Sequence, residues 1–282
     1  MSRGSPSTAA HDRPVARAHV NGVELEYEVI GDGEPLVFVA GTGVDGGIWH
    51  RAQIPHFSRR YRCVTFDLRG AGASGAPESP YSVGLFAQDT AALLDHLAVR
   101  EAHFVGLSLG TAVIQELALG APGRVRSAVL LGTWSSTRRE HHIRRWFEAR
   151  LRTLREAPLP VFQAYSFWMW APSMIDGKPE VVAELEAFFR EHSGRQPVHA
   201  YVNHFEADLA HETFDRLDQV ACPVLVVYGE EDLITLPGYN ETVAGRIPGA
   251  HSVRIAGCGH LAFIERPDAV NAAIDRFLEE GV

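Results

Sequence analysis

Gly106, Ser108 and Gly110 form a Gly-x-Ser-x-Gly pentapeptide, with the apolar residues Ala102, Phe104, Val105 and Leu107 leading in and Ala112, Val113, Ile114, Leu117 and Ala118 following at helical spacing. A strand that turns at once into a helix forces the hydroxyl of the central residue out of the backbone. The flanking positions must be glycine, because a side chain there would strike the neighbouring strand or the helix start. Ser108 is therefore a candidate nucleophile. A serine hydroxyl is weak on its own and needs a base, an acid to orient that base, and donors for an oxyanion. Among fourteen histidines, His260 stands apart: it ends Ala256-Gly257-Cys258-Gly259-His260, after the apolar run Ser252 to Ile255 and before a helical stretch, Leu261 to Leu278. For the acid, the run Val224 to Tyr228 ends in Gly229-Glu230-Glu231-Asp232. Asp232 is the choice, with Glu230 and Glu231 as rivals.

The order Ser108, Asp232, His260 is joined by a fourth motif, Asp67-Leu68-Arg69-Gly70-Ala71-Gly72-Ala73-Ser74, a D-x-R-G-x-G-x-S turn. Four motifs in this order resemble the α/β-hydrolase superfamily from about Val20 to Leu278, and within it the small capped esterases and 3-oxoadipate enol-lactonase-like members. The resemblance implies a Ser-His-Asp triad and an oxyanion hole made of backbone N–H groups. By position the donors are Thr42 and Leu109, with the Thr42 hydroxyl as an additional donor and Gly41 beside the substrate. One departure stands out. Relatives carry His-Gly-x after the third strand, whereas here Val37-Phe38-Val39 runs into Ala40-Gly41-Thr42-Gly43. Alanine removes the side chain whose hydrogen bonds steady this loop. A phosphate-binding loop is a poor alternative, since no Gly-Lys-Ser/Thr follows.

These residues must be held at strand ends. Short apolar strands alternate with helical stretches, the pattern of an α/β fold with a mostly parallel, doubly covered β-sheet. A hairpin over Ala16 to Ile30 turns at Asn21-Gly22. Strands follow near Pro35 to Ala40, Arg62 to Asp67, His103 to Leu107, Ser127 to Leu131, Pro223 to Tyr228 and His251 to Ala256. Ligands of such sheets bind beyond the carboxyl ends of the strands, where every candidate above lies. The alternation breaks over 134–218, which reads as an inserted helical cap without strands, dividing a hydrolase core of 14–133 and 219–282 behind a disordered tail of 1–13. Its aromatic residues, Trp134, Trp146, Phe147, Phe162, Tyr165, Phe167, Trp168, Trp170, Phe188, Phe189, Tyr201 and Phe205, point to a hydrophobic small-molecule substrate, with Trp134, Trp168 and Tyr201 the pocket candidates.

Composition narrows the classes. A chain of 282 residues, 46% hydrophobic, can bury one large core with a small lobe. Its net charge of -9 and the lack of a basic stripe with interleaved aromatics argue against nucleic acid. The cationic stretch Arg138 to Arg155 alternates with apolar residues as a helix face does. Lys178 is the one lysine, which indicates a GC-rich, bacterial genome. Cys63, Cys222 and Cys258 lack disulfide spacing, so a reduced, cytoplasmic setting is expected. No apolar run spans a bilayer, and the first dozen residues lack a signal-peptide core. No metal site and no cofactor are expected. Monomer and homodimer are both left open.

The expected activity is hydrolysis of an ester or lactone through an acyl-enzyme. Three rivals are weighed. A non-hydrolytic enzyme of the same fold, performing elimination, cyclisation or C–C cleavage in secondary metabolism, is compatible with Ala40. A ligand receptor would not need the intact residue set. Dehalogenases and epoxide hydrolases place aspartate where Ser108 stands.

Overall fold

The computed structural model describes residues 15–157, 168–192 and 196–280. Its strands are β1 (Val15–Val20), β2 (Val23–Ile30), β3 (Glu34–Val39), β4 (Tyr61–Phe66), β5 (Ala102–Leu107), β6 (Val125–Leu131), β7 (Val224–Gly229) and β8 (His251–Ile255). They form one sheet in the order β1-β2-β4-β3-β5-β6-β7-β8. β1 and β2 pair antiparallel, as do β2 and β4, and all later pairs are parallel. The hairpin turns at Asn21 (φ 46°) and Gly22 (φ 73°), the left-handed pair that matches strand twist. Each strand agrees with its sequence expectation to within two residues at either end.

The helices are α1 (Gln53–Phe57), α2 (Val83–His96), α3 (Leu109–Gly120), α4 (His141–Glu156), α5 (Pro172–Gly177), α6 (Pro179–Glu191), α7 (Val198–Ala210), α8 (Pro237–Arg246), α9 (Ala262–Glu265) and α10 (Pro267–Glu280). β5 and β7 are buried along their whole length because helices cover both faces. Successive residues serve opposite faces. Phe104, Ala128, Leu130, Val224 and Val226 join one apolar cluster, and Val105, Leu107, Val129, Leu131, Leu225 and Val227 join the other.

The helix expected over Leu261 to Leu278 is corrected to two. Pro267 has no N–H to continue the ladder and pushes the residue before it out of the α region, and Arg266 sits at φ -136°, ψ 56° between α9 and α10.

Between β6 and β7 the described residues comprise α4 to α7 and a 3-10 turn at Phe214–Gln219. Among these described residues β-structure is limited to an isolated bridge between Ser136 and Glu212, which brings the two ends of the segment together. Trp134, Trp146, Phe147 and Phe205 pack ring against ring at centroid distances of 5.4 to 6.1 Å, joining the segment after β6 to α4 and α7. The 1–13 tail and Phe162, Tyr165 and Phe167 lie outside the described residues. No described helix is long and apolar enough to cross a membrane.

Candidate active site

Parallel register brings the candidates to one end of the sheet. Leu107 pairs with Leu131, and Leu131 with Val227, so the residues that follow β5, β6 and β7 emerge side by side. Ser108 leaves β5 at φ 50°, ψ -116°, a strained conformation for a residue with a Cβ. Its N–H donates to Leu131 O at 3.0 Å, while Leu109 opens α3, where the first N–H groups have no intrahelical acceptor. The pentapeptide glycines are accounted for by contact. A Cβ on Gly106 would meet Ile114 Cδ1 at 2.6 Å and Gly110 C at 2.7 Å, and one on Gly110 would meet Val39 O at 2.2 Å. Since the second obstacle is the backbone of β3, Gly110→Ala is expected to destabilise the protein by roughly 2–4 kcal/mol, read as a lowered Tm, because neither strand nor helix can yield alone.

Gly132, the residue next to Ser108 across the register, lies against His260: a Cβ added there would be 3.2 Å from His260 Nδ1 and Cε1. His260 Nδ1 faces Asp232 Oδ2 at 2.9 Å. That oxygen also accepts from Thr235 Oγ1 at 2.6 Å, while Oδ1 accepts from Ile234 N–H (2.8 Å) and Thr235 N–H (3.0 Å). The two rivals are turned elsewhere. Glu230 pairs with Arg254 at 3.6 Å, and Glu231 accepts from the N–H and hydroxyl of Ser173. The histidine loop is clamped by Glu265, which accepts from Gly259 N–H (3.0 Å) and Ala171 N–H (3.2 Å); burial pushes its carboxyl up to about 7. His260 N–H donates to Met169 O at 2.9 Å, tying the loop to the insertion. Ser108, Asp232 and His260 are all buried, with 8%, 1% and 6% exposure.

The loop after β3 completes the arrangement. Gly41 lies against the elbow, since a Cβ there would sit 3.4 Å from Ser108 Cβ. Among the described residues the Thr42 N–H has no acceptor. The expectation that the Thr42 hydroxyl joins the oxyanion donors is corrected: it donates instead to Asp208 Oδ2 at 2.8 Å. The bracing that Ala40 cannot provide comes from the insertion. Gly43 N–H donates to His204 Nδ1 (3.3 Å), and Gly43 O accepts from Gln196 Nε2 (2.9 Å) and Tyr201 Oη (3.3 Å). His204 Nε2 in turn donates to Arg69 O at 2.8 Å, which sets its tautomer; burial pushes this imidazole down to about 4, keeping it neutral and able to accept from Gly43. Gly43 must be glycine, at φ 66° with a Cβ position 2.1 Å from the Tyr201 ring.

The Asp67 turn anchors the far end of this loop. Asp67 accepts from Gly46 N–H (2.7 Å) and Ala73 N–H (2.8 Å), Ser74 Oγ donates back to Asp67 O (2.7 Å), and Arg69 pairs with buried Asp89 at 2.5 Å. A cleft of about 640 Å³ beside Gly46 and Gly47 is lined by Glu26, Glu28, Asp45, Asp67, His50 and His192, and does not include Ser108, Asp232 or His260.

Of the pocket candidates, Tyr201 is buried against Gly43, and Trp134 is fully buried in the aromatic cluster two residues beyond Gly132. Trp168 is 43% exposed. Sequence reasoning missed Thr235, Glu265 and Asp208, and left His204 open between packing and pocket. A signal was present for two of them: Tyr201, His204 and Asp208 recur at three- and four-residue spacing, which puts them on one face of α7. No group of three or more His, Cys, Asp or Glu among the described residues has the arrangement to hold a metal ion.

A strand-elbow-helix serine, a histidine bonded to a carboxylate and a glycine loop at the carboxyl end of a parallel sheet define a class, and comparison with known proteins agrees with it. Residues 34–267 match the family model described as the alpha/beta hydrolase fold, and the chain belongs to that family. It is an enzyme of the α/β-hydrolase type. A protein of Mycobacterium tuberculosis that carries the name non-heme bromoperoxidase BpoC is 34% identical over 261 residues, 90% of this chain and 97% of that one. The 3-oxoadipate enol-lactonase 2 of Acinetobacter baylyi is 29% identical over 91% of this chain and 94% of its own. The crystal structure of a hydrolase from Pseudomonas aeruginosa superimposes with a TM-score of 0.85 at 29% identity, covering 94% of this chain and 98% of that chain.

Proposed function

We propose that the protein is a serine hydrolase that cleaves an ester or lactone of a hydrophobic small molecule through an acyl-enzyme intermediate. The observation that carries this reading is the 2.9 Å contact of His260 Nδ1 with Asp232 at the same end of the sheet as a strained Ser108, held at φ 50°. With Nδ1–H directed at Asp232, the His260 Nε2 lone pair is left to take the Ser108 proton as the hydroxyl attacks the carbonyl carbon. Asp232 holds that tautomer and stabilises the imidazolium. The N–H groups of Thr42 and Leu109 receive the charge that develops on the carbonyl oxygen. His260 then returns the proton to the leaving alkoxide and activates a water to release the acid.

The insertion 134–218 acts as a cap over the core of 14–133 and 219–282, shutting water from the strand ends. Buried Trp134, close to the glycine that touches His260, supports an apolar substrate. The buried cysteines Cys63 and Cys258, both free, are consistent with a reducing, cytoplasmic setting. Relatives named as enol-lactonase and esterase fit an ester or lactone, while a relative of similar identity carries the name carbamate hydrolase.

The test is turnover of aryl esters, methyl esters, lactones and thioesters in oxygen-18 water, followed by mass spectrometry, with Ser108→Ala as the control. Heavy oxygen in the acid product of the wild type alone is the expected result. Turnover without label incorporation would move the reading to elimination, cyclisation or C–C cleavage.

A further inference from the structure

Asp208 is fully buried on α7, and it is a costly residue to keep there. Its Oδ2 accepts from Thr42 Oγ1 at 2.8 Å, and among the described residues its Oδ1 has no hydrogen-bond partner. An apolar side chain would satisfy the space without leaving a polar atom unmet. What an apolar side chain cannot do is hold Thr42. We propose that Asp208 is a positioning residue for the oxyanion hole: through the Thr42 hydroxyl it holds the Thr42 peptide N–H in place while charge develops on the substrate oxygen. This rests on the serine-hydrolase reading above. It also explains how the loop manages with Ala40. Tyr201 and His204 fix Gly43, Asp208 fixes Thr42, and all three come from one face of one cap helix, so the hole is assembled only when α7 is docked.

The carboxyl performs this role uncharged. Burial pushes it from 3.8 up to about 8, with only the Thr42 hydrogen bond pulling the other way. The ionisable groups on its own helix and on the elements packed there leave it that way. His204 on α7 and His211, which caps the C-terminus of that helix, are held neutral by burial. Arg69 is paired with Asp89, Arg155 of α4 with Glu206, and Tyr81 meets His204 edge to face. Arg150 of α4 lies over Trp146, and Glu140, raised by burial, is taken up by Ser135 and Ser136. His260 is engaged with Asp232. Above about pH 8 Asp208 becomes an anion one residue from the oxyanion donors, where it opposes the charge they stabilise. Activity therefore falls on the alkaline side.

The experiment follows kcat and KM for a p-nitrophenyl ester from pH 6 to 9.5 in wild type, Asp208→Asn, Asp208→Ala, Thr42→Ser, Thr42→Val and the Asp208→Ala/Thr42→Val double variant. Background is taken from Ser108→Ala, and Tm is recorded for each protein. Asp208→Asn keeps an acceptor oxygen for Thr42 but cannot ionise, so it should hold kcat within about threefold at pH 7 and lose the alkaline decline. Asp208→Ala and Thr42→Val should each lower kcat by about 10- to 100-fold with little change in KM, the double variant should be no worse than either, and Thr42→Ser should retain activity.

Linkage gives an independent check on protonation. The folded protein binds the Asp208 proton more tightly than the unfolded chain, so this group lowers stability progressively as pH rises from 3.8 to about 8. The Tm advantage of Asp208→Asn should widen over that window. An alkaline decline that persists in Asp208→Asn overturns the proposal, as does an Asp208→Ala enzyme with unchanged kcat. If Asp208→Ala does not fold, the Asp208→Asn profile decides alone. Loss of the underlying reading looks different: Ser108→Ala would then retain turnover and the wild type would not react with a fluorophosphonate.

Discussion

Ser108→Ala is expected to lower kcat by roughly 10⁴- to 10⁶-fold while leaving the fold and substrate binding in place. In the proposed mechanism the size of the effect follows from the loss of the atom that would form the acyl-enzyme. The remaining groups can still bind substrate and polarise its carbonyl, but water must then attack unaided. The fold is spared because the hydroxyl makes no contact on which the elbow depends. The backbone N–H of residue 108 keeps its bond to Leu131 O, and alanine carries the same Cβ at the same positive φ. Steady-state kinetics together with a thermal melt check both halves. Turnover within tenfold of wild type would sink the covalent mechanism. A fall in Tm of more than a few degrees would show that the hydroxyl does structural work in the elbow.

Asp232→Asn should cost about 10⁴-fold in kcat, again with little loss of stability. The direction follows from which oxygen accepts which bond. Oδ1 takes two backbone N–H groups, from Ile234 and Thr235, so the amide oxygen of asparagine must occupy that side. Its NH₂ then faces Thr235 Oγ1 and His260 Nδ1, where Oδ2 used to accept. A donor at that point makes Nδ1 the acceptor and moves the imidazole proton to Nε2. His260 can then no longer take the proton of Ser108. Nitrogen-15 NMR of the imidazole reads the tautomer directly, and an unchanged tautomer with intact kcat would remove Asp232 from the mechanism. Thr235→Val offers a milder comparison, because it deletes one donor to Oδ2 and leaves the carboxylate.

Much of the molecule was legible because its signals are local. An apolar strand, two glycines around a serine and a helical run over 102–118 can adopt few arrangements, since a Cβ at Gly110 would occupy the space of Val39 O. The Asn21-Gly22 hairpin and the parallel strands were readable for the same reason: turn chemistry and burial on both faces leave marks at neighbouring positions. The choice of Asp232 over Glu230 and Glu231 was different. Three adjacent carboxylates are equivalent in sequence, and only the direction of each side chain separates them, towards His260, Arg254 and Ser173. The split at Pro267 was local and could have been read, because proline forbids the helix drawn through it.

Residue types and their order along the chain therefore determined the fold class, the elbow and the strand ends that carry Ser108, Asp232 and His260, because each is encoded within a dozen residues. The support of the oxyanion loop was decided by tertiary structure alone. Thr42 and Asp208 are 166 residues apart, and their hydrogen bond exists only once the insertion has folded back over β3. The same docking buries the Asp208 carboxyl and the His204 imidazole far enough to hold both uncharged at neutral pH. Desolvation depends on everything that surrounds a group in space, and no pattern along the chain records it.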